Sequence, residues 1–470
     1  MTPGARIQAV IDLLTEVATI ARPADAVISA FFRKRRYIGS KDRVAIAENV
    51  YAVLRRYARL SWWLVRADYC PPTPQAASRA MVMANILLTT PQSATALLRT
   101  FNGARFHPEA ANAEETRLAR ALETHTLELP AMPENVRLEC PPWAEAALRA
   151  GLGERFGVEM AALLEPAPLD VRINPMKTQR EDALAALAAD GIIAAPGQFS
   201  PFALRIEGRP ALTASKAFQN GWVEIQDEGS QLVALLVDAR PGQQVVDFCA
   251  GAGGKTLAVA AAMANKGRVV ACDVLENRLK RATERFRRAG LHNIETRAFS
   301  SERDPWVKRH KEKFDRVLVD APCAGVGTWR RNPDARWRSL GPGLTELVEL
   351  QARILDSAAR LVKPGGRLIY ATCSLLTEEN EDQIAAFVER NPSFQILNAS
   401  EIWTNVITET PWPGDLGPFL RLFPARHHTD GFFAAILTHN TTEDRSREDV
   451  SDQENIQDVQ DVQETQIASE

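Results

Sequence analysis

The chain has 470 residues, 45% of them hydrophobic and 24% charged, with a formal net charge of −3; this is the composition of a globular protein with room for several domains. No run of about 18 apolar residues is present, so no membrane-spanning helix and no membrane partner are expected, and the N-terminus shows no charged start leading into an apolar stretch, so no secretory signal is expected. Six cysteines without close pairs argue against a disulfide framework and against a metal site, and they fit a reducing cytoplasm.

The small total charge hides an asymmetry. Residues 31–66 hold ten Lys/Arg against Asp42 and Glu48, a net +8, while residues 441–470 hold ten Asp/Glu against two Arg, a net −8. The cluster Arg33, Lys34, Arg35, Arg36 reads either as a solvated face or as a surface that contacts phosphates.

From residue 6 to about 125 the periodicity is helical. Val44, Ala47, Val50, Tyr51, Leu54, Ala58 and Trp62 recur at three- and four-residue steps, which predicts a helix over 44–64. Prolines 71, 72 and 74 precede a second helical run over 76–88. An all-α domain over 1–128 follows, and Pro130, Pro133, Pro141 and Pro142 mark a linker. Residues 140–238 mix a helix over 143–156, an alternating strand over 169–174, a helix over 181–190 and a strand over 202–206, the pattern of a small α+β subdomain. Strands are expected near 244–248, 268–273, 293–297, 314–319, 367–371 and 432–437, alternating with helices. That alternation over 239–440 is the signature of a doubly wound parallel, Rossmann-like sheet. The tail 441–470 is almost free of large apolar groups and is expected to be disordered.

Asp247-Phe248-Cys249-Ala250-Gly251-Ala252-Gly253-Gly254-Lys255-Thr256 forms a glycine turn between a strand and a helix, and three ligands suit such a turn. Gly254-Lys255-Thr256 copies the end of a nucleoside-triphosphate loop, but Cys249 stands where that loop requires glycine. Gly251 and Gly253 with Asp273 about twenty residues on resemble a dinucleotide fingerprint, whose third glycine would fall at Thr256. S-adenosylmethionine needs close backbone approach at the glycines and an acid at the end of the second strand, where Asp273 sits. Asp273 also suits a cap for the helix that follows. Lys255 opposes the helix dipole, which asks for an anionic partner in the crevice; Asp320 is the candidate.

Two cysteines follow short apolar strands: Cys323 in Ala321-Pro322-Cys323-Ala324-Gly325, and Cys373 in Ala371-Thr372-Cys373-Ser374. Ligands of open α/β sheets bind beyond the carboxyl ends of the strands, so both thiols are expected to face the cofactor crevice. Cys249 and Cys272 read as buried, inert thiols.

These segments resemble the RsmB/NOP-type RNA cytosine-C5 methyltransferases. The resemblance rests on the glycine turn 247–256, on Asp320-Ala321-Pro322-Cys323-Ala324-Gly325-Val326-Gly327-Thr328 and on Tyr370-Ala371-Thr372-Cys373-Ser374. It is supported by Arg172-Ile173-Asn174-Pro175, Gln226-Asp227-Glu228-Gly229-Ser230 and Asp430-Gly431-Phe432-Phe433. It covers residues 140–440, and 1–125 look more loosely like the NusB-like helical domain of the bacterial rRNA members. The resemblance implies S-adenosylmethionine as cofactor, held by Cys249, Ala250, Gly251, Ala252, Gly253, Gly254, Lys255, Asp273 and Asp320. It implies Cys373 as nucleophile, Cys323 for product release, and Asp320 and Lys255 as further catalytic groups. The family usually places an aspartate after the third strand for the adenine amine; here Ala298-Phe299-Ser300-Ser301 offers Ser300, with Asp304 further along. Its turn usually reads Ala-Ala-Pro-Gly-Gly, where this chain has Ala250-Gly251-Ala252-Gly253-Gly254.

The implied activity is cytosine-5 methylation of bacterial 16S rRNA by a monomeric cytoplasmic enzyme, with tRNA as the alternative substrate. A non-catalytic ribosome-assembly factor is the alternative class, and intact Cys323 and Cys373 argue against it. Trp329-Arg330-Arg331-Asn332-Pro333 and Ala335-Arg336-Trp337-Arg338 mix stacking rings with cations, so an entering RNA strand is expected there, with a solvated loop as the alternative.

Overall fold

A computed structural model describes residues 1–338, 340–407, 410–415 and 417–441. The acidic stretch expected to be disordered lies, apart from Thr441, outside the described residues. The chain forms two compact units, Met1–Ala167 with Gly325–Gly343, and Pro168–Ala324 with the chain from Leu344 onward. Among the described residues no helix is long and apolar enough to cross a membrane.

The first unit is helical: α1 (Pro3–Thr19), α2 (Ala24–Lys34), α3 (Ser40–Leu54), α4 (Tyr57–Arg66), α5 (Pro74–Thr89), α6 (Ala94–Leu98) and α7 (Ala113–Leu122). They close over a core that includes Ile11, Leu13, Val50, Leu60, Trp63, Met83 and Leu122. Start signals are explicit. Thr2 caps α1 with Pro3 at its first position, and Asn112 with Glu115 forms a reciprocal capping box on α7.

The helix expected over 44–64 is in fact two, broken at Arg55 and Arg56. The cause is Glu139, whose carboxylate accepts the N–H of Ala58 at 2.7 Å and of Arg59 at 3.1 Å. It thereby satisfies the free amides at the start of α4. Glu139 is fully buried and also accepts from Arg59 Nε at 3.0 Å. The proline-rich stretch is therefore no linker: Leu138, Glu139 and Cys140 are buried in the unit, and Pro142 opens a further helix, Pro142–Leu152.

Segment 325–343 is built into this unit. Asp334 accepts the N–H of Ala24 at 3.0 Å, at the first residue of α2. Arg336 donates to the carbonyls of Glu139 at 3.0 Å and Leu163 at 2.6 Å, and Arg338 donates to Ile20 and Arg22. Trp329 is fully buried and meets Trp143 edge to face. The expectation that this segment receives RNA is overturned for Trp329, Arg330 and Arg336, which are buried; Trp329, Arg336 and Arg338 instead tie the segment to the helices around it.

The second unit carries two sheets. β1 (Leu169–Ile173), β2 (Ala194–Pro196), β3 (Ala203–Ile206) and β4 (Val223–Ile225) form an antiparallel sheet in the order β2-β3-β1-β4. The helix Arg180–Ala189 packs on it through Ala183 and Leu187. The larger sheet contains β5 (Gln244–Asp247), β6 (Arg268–Asp273), β7 (Ile294–Ala298), β8 (Phe314–Asp320), β9 (Val362–Thr372), β10 (Phe394–Leu397), β11 (Leu420–Leu422) and β12 (Phe432–His439). Its order is β10-β12-β9-β8-β5-β6-β7, with β11 on β12.

β5 to β9 are parallel; the apolar runs of β5, β6, β8 and the second half of β9 are buried on both faces as such strands require, whereas Glu295, Thr296 and Ala298 of the edge strand β7 are exposed. The sheet is nevertheless mixed: β12 runs antiparallel to β9, β10 and β11. Strand direction depends on the route of the connection, which alternation in sequence does not encode.

Candidate active site

The site lies beyond the carboxyl ends of β5, β6, β8 and β9. At the end of β5 the chain turns through Gly251 (φ 55°) and Gly253 (φ 79°) into the helix Gly254–Ala262. A Cβ at Gly253 would stand 2.6 Å from the Phe286 ring, whereas at Gly251 it would meet nothing within 4 Å. One glycine therefore seats the turn on the helix Glu276–Ala289, and the other leaves backbone open for a ligand.

Asp273, at the end of β6, takes the Gly251 N–H on Oδ2 at 2.8 Å and the Leu275 N–H on Oδ1 at 2.7 Å. Each oxygen thus holds one backbone amide and retains a second acceptor position. The expected cap role is not found, because the helix begins at Glu276 and no side chain caps it. Arg172 on β1 donates to Gln226 and to the Gly254 carbonyl at 3.0 Å, which ties the smaller sheet to the glycine turn. Burial lowers its pKa to about 10.

Lys255 and Asp320 meet as expected, at 2.7 Å between Nζ and Oδ2. The lysine is buried and the aspartate half-buried. Burial works to depress Lys255, but the Asp320 carboxylate outweighs it and holds the ammonium above its ordinary pKa, with Cys373 adding in the same direction. Thr256 is fully buried and donates to Asp247 Oδ2 at 2.6 Å. Burial pushes the Asp247 carboxyl up to about 7, and its Oδ1 is buried with no hydrogen-bond partner among the described residues. With Lys255 committed to Asp320 and Thr256 to Asp247, the two residues that would serve phosphates and their counterion in a nucleoside-triphosphate loop are both engaged elsewhere. The turn fits a cofactor bound through backbone and ribose contacts.

Cys323 lies three residues past β8 and Cys373 one residue past β9. β8 and β9 are parallel neighbours with Asp320 opposite Ala371, so the two sulfurs come to 3.5 Å. Both thiols are half-buried. Around Cys373, Thr372 Oγ1 donates to Asn380 Oδ1 at 2.5 Å and Asn380 Nδ2 donates to the Ser374 carbonyl at 3.1 Å, which fixes the turn. Cys272 is fully buried and Cys249 half-buried; burial pushes both thiols well above the usual range, which suits inert residues.

At the end of β7, Ser300 donates from N at 3.0 Å and from Oγ at 3.2 Å to the same oxygen of Asp304. Asp304, read from sequence as too far along, folds back onto Ser300 and also caps the helix Pro305–Arg309. The sequence reading missed the Thr256–Asp247 pair, Arg172 as a brace for Gly254, and Glu379, which accepts the Ala324 N–H at 2.8 Å. Asp247, Thr256 and Arg172 lay in segments that had drawn notice, Glu379 in none.

The profile of the 16S rRNA methyltransferases RsmB/F matches residues 234–438, and that of the RsmF/B-like ferredoxin-like domain matches 140–213. The chain is 30% identical over 409 residues to the ribosomal RNA small subunit methyltransferase B of Salmonella newport, covering 85% of this chain and 91% of that one. It is 29% identical over 400 residues to the same protein of Yersinia enterocolitica, covering 81% and 90%. The crystal structure of PH0851 superposes with a TM-score of 0.77 at 28% identity, over 93% of this chain and 99% of that one. A methyltransferase homolog from Pyrococcus horikoshii gives 0.55 at 28% identity, over 66% and 99%.

Proposed function

Since the chain belongs to the RsmB/F family of 16S rRNA methyltransferases, we propose that it methylates carbon 5 of a cytosine in 16S rRNA through a covalent cysteine–cytosine adduct. It is a methyltransferase that uses S-adenosylmethionine. The observation that supports the cytosine-5 reading is the pair of sulfurs 3.5 Å apart beside the Lys255–Asp320 ion pair.

Carbon 5 of cytosine is too poor a nucleophile to accept a methyl group unaided. Cys373, as thiolate, adds through Sγ to carbon 6 of a base drawn out of its stack. As the addition loads electrons onto the ring, a proton passes from solvent to the ring nitrogen, and the Asp320 carboxylate holds that N–H or the exocyclic amine; the proton returns to solvent when the ring double bond re-forms. Lys255 keeps Asp320 oriented. S-adenosylmethionine would supply the electrophilic methyl group, with the turn 249–254, Asp273 and Ser300 as the groups that would hold it. Cys323 then removes the carbon-5 proton, the electrons return to expel Cys373 Sγ, and the methylated base is released.

In this reading the helical unit is a NusB-like RNA-binding domain, its exposed Arg33, Lys34 and Arg36 contact phosphates, and the enzyme works as a cytoplasmic monomer. Bisulfite sequencing of 16S rRNA from a deletion strain and its parent tests the assignment: one protected cytosine should become convertible in the deletion. An identical pattern in both strains would rule the assignment out.

A further inference from the structure

We propose that Glu379, working with Gln351, is the positioning residue that fixes Cys323 against Cys373; the mechanistic consequence rests on the thiol roles proposed above, the geometry does not.

Cys323 sits in a stretch, 321–325, that belongs to neither helix nor strand. The last sheet bond before it is Ala321 N–H to the Ala371 carbonyl at 2.8 Å. Beyond that point Pro322 has no N–H, and the Pro322 carbonyl and the Ala324 N–H flank Cys323 on either side. Both are held. Gln351 Nε2 donates to the Pro322 carbonyl at 2.9 Å, and Glu379 Oε1 accepts the Ala324 N–H at 2.8 Å. The same Gln351 nitrogen donates to Glu379 Oε1 at 2.9 Å, which joins the two grips into one clamp.

The clamp is anchored to the other thiol. Glu379 ends the short turn Thr377–Glu379, six residues after Cys373, and Tyr370 on β9 donates its hydroxyl to the Glu379 carbonyl at 2.7 Å. One short segment therefore carries Cys373 and also the acceptor that holds the loop of Cys323. Glu379 and Gln351 are both fully buried. Burial raises the Glu379 pKa, and among the described residues the groups that oppose it are hydrogen-bond donors rather than a cation. A buried carboxylate held in this way is a costly means of filling space; its hydrogen bond to the Cys323 loop gives it a purpose that an apolar side chain could not serve.

The test is made on the full chain with Glu379→Ala, Glu379→Gln and Gln351→Leu. Diamide, a diazene that takes up two electrons and two protons, oxidises the two thiols to a disulfide, and peptide mass mapping follows the Cys323–Cys373 link. The unsubstituted protein should close this link readily. Glu379→Ala should close it about 10²-fold more slowly, the cost of a displacement near 1 Å, and Glu379→Gln, which keeps an acceptor oxygen, should restore it. Closure of Glu379→Ala at the unsubstituted rate would overturn the proposal. Where Glu379→Ala fails to bind S-adenosylmethionine by calorimetry and so has lost its fold, Gln351→Leu decides: slowed closure supports the clamp and unchanged closure overturns it.

The RNA readout then separates the two levels. Glu379→Ala should accumulate a denaturant-resistant protein–RNA complex, as Cys323→Ala should. If Cys323→Ala accumulates none, the assigned thiol roles fail while the disulfide rates still judge the clamp. If Cys323→Ala accumulates it and Glu379→Ala does not, the clamp fails and the thiol roles stand.

Discussion

The sulfurs of Cys323 and Cys373 lie 3.5 Å apart although fifty residues separate them, because Asp320 on β8 stands opposite Ala371 on β9. Three residues past one partner and two past the other, the chain reaches the same level above the sheet. The two thiols thus come together from different loops, so they can be tested separately.

Cys373→Ala should abolish both methylation and any covalent protein–RNA complex. Cys323→Ala should still form the adduct and methylate the base, then stall before release, giving a complex that survives a denaturing gel. The reverse pattern would exchange the two roles.

Asp247 gives a pH signature. Its folded pKa is raised from 3.8 to about 7 by burial, so between those values the folded state holds a proton that the unfolded state has lost. The stability this group contributes is complete below its unfolded pKa and is lost as pH rises through the folded value, on the order of 4 kcal/mol in all. Asp247→Asn removes that dependence. The difference in melting temperature between the Asp247→Asn variant and the unsubstituted protein should therefore move in favour of the variant from pH 4.5 to pH 7.5; a constant difference would count against a protonated Asp247.

Arg33, Lys34 and Arg36 are exposed, whereas Arg35 pairs with Glu16 at 3.1 Å and lies 3.6 Å over the Phe31 ring. Replacing the three exposed cations by alanine should weaken RNA binding and flatten the plot of log affinity against log salt, by up to about 0.9 for each phosphate no longer neutralised. Arg35→Ala should act mainly on stability. An unchanged slope in the triple variant would make the cluster an ordinary solvated face.

Glu139 joins the start of α4 to Arg59 inside the helical unit. Glu139→Ala leaves the amides of Ala58 and Arg59 without their acceptor, while the Arg59 guanidinium keeps Glu128 at 2.8 Å, and should cost about 1–3 kcal/mol for each buried donor left unsatisfied. The first transition in urea and the rate of limited proteolysis within residues 1–167 should report it, while calorimetric binding of S-adenosylmethionine to the second unit stays unchanged.

Local pattern was enough for much of the protein. Apolar runs set the parallel strands β5, β6, β8 and β9, helical periodicity set the first unit, and the glycines at 251 and 253 marked the turn between β5 and its helix. The choice of Cys323 and Cys373 also came from sequence, since each follows a strand and ligands gather at strand ends. What required the tertiary structure was everything fixed by partners distant in the chain. The 3.5 Å separation follows from the adjacency of β8 and β9; the break between α3 and α4 is made by Glu139, eighty residues away from the amide of Arg59; and Arg336, exposed to a reader of composition, is buried where the carbonyls of Glu139 and Leu163 receive it. Glu379 shows the same limit. Its residue type is ordinary in sequence, and only the fold brings its carboxylate to the amide beside Cys323, because hydrogen bonds act over ångströms in space and leave no period along the chain.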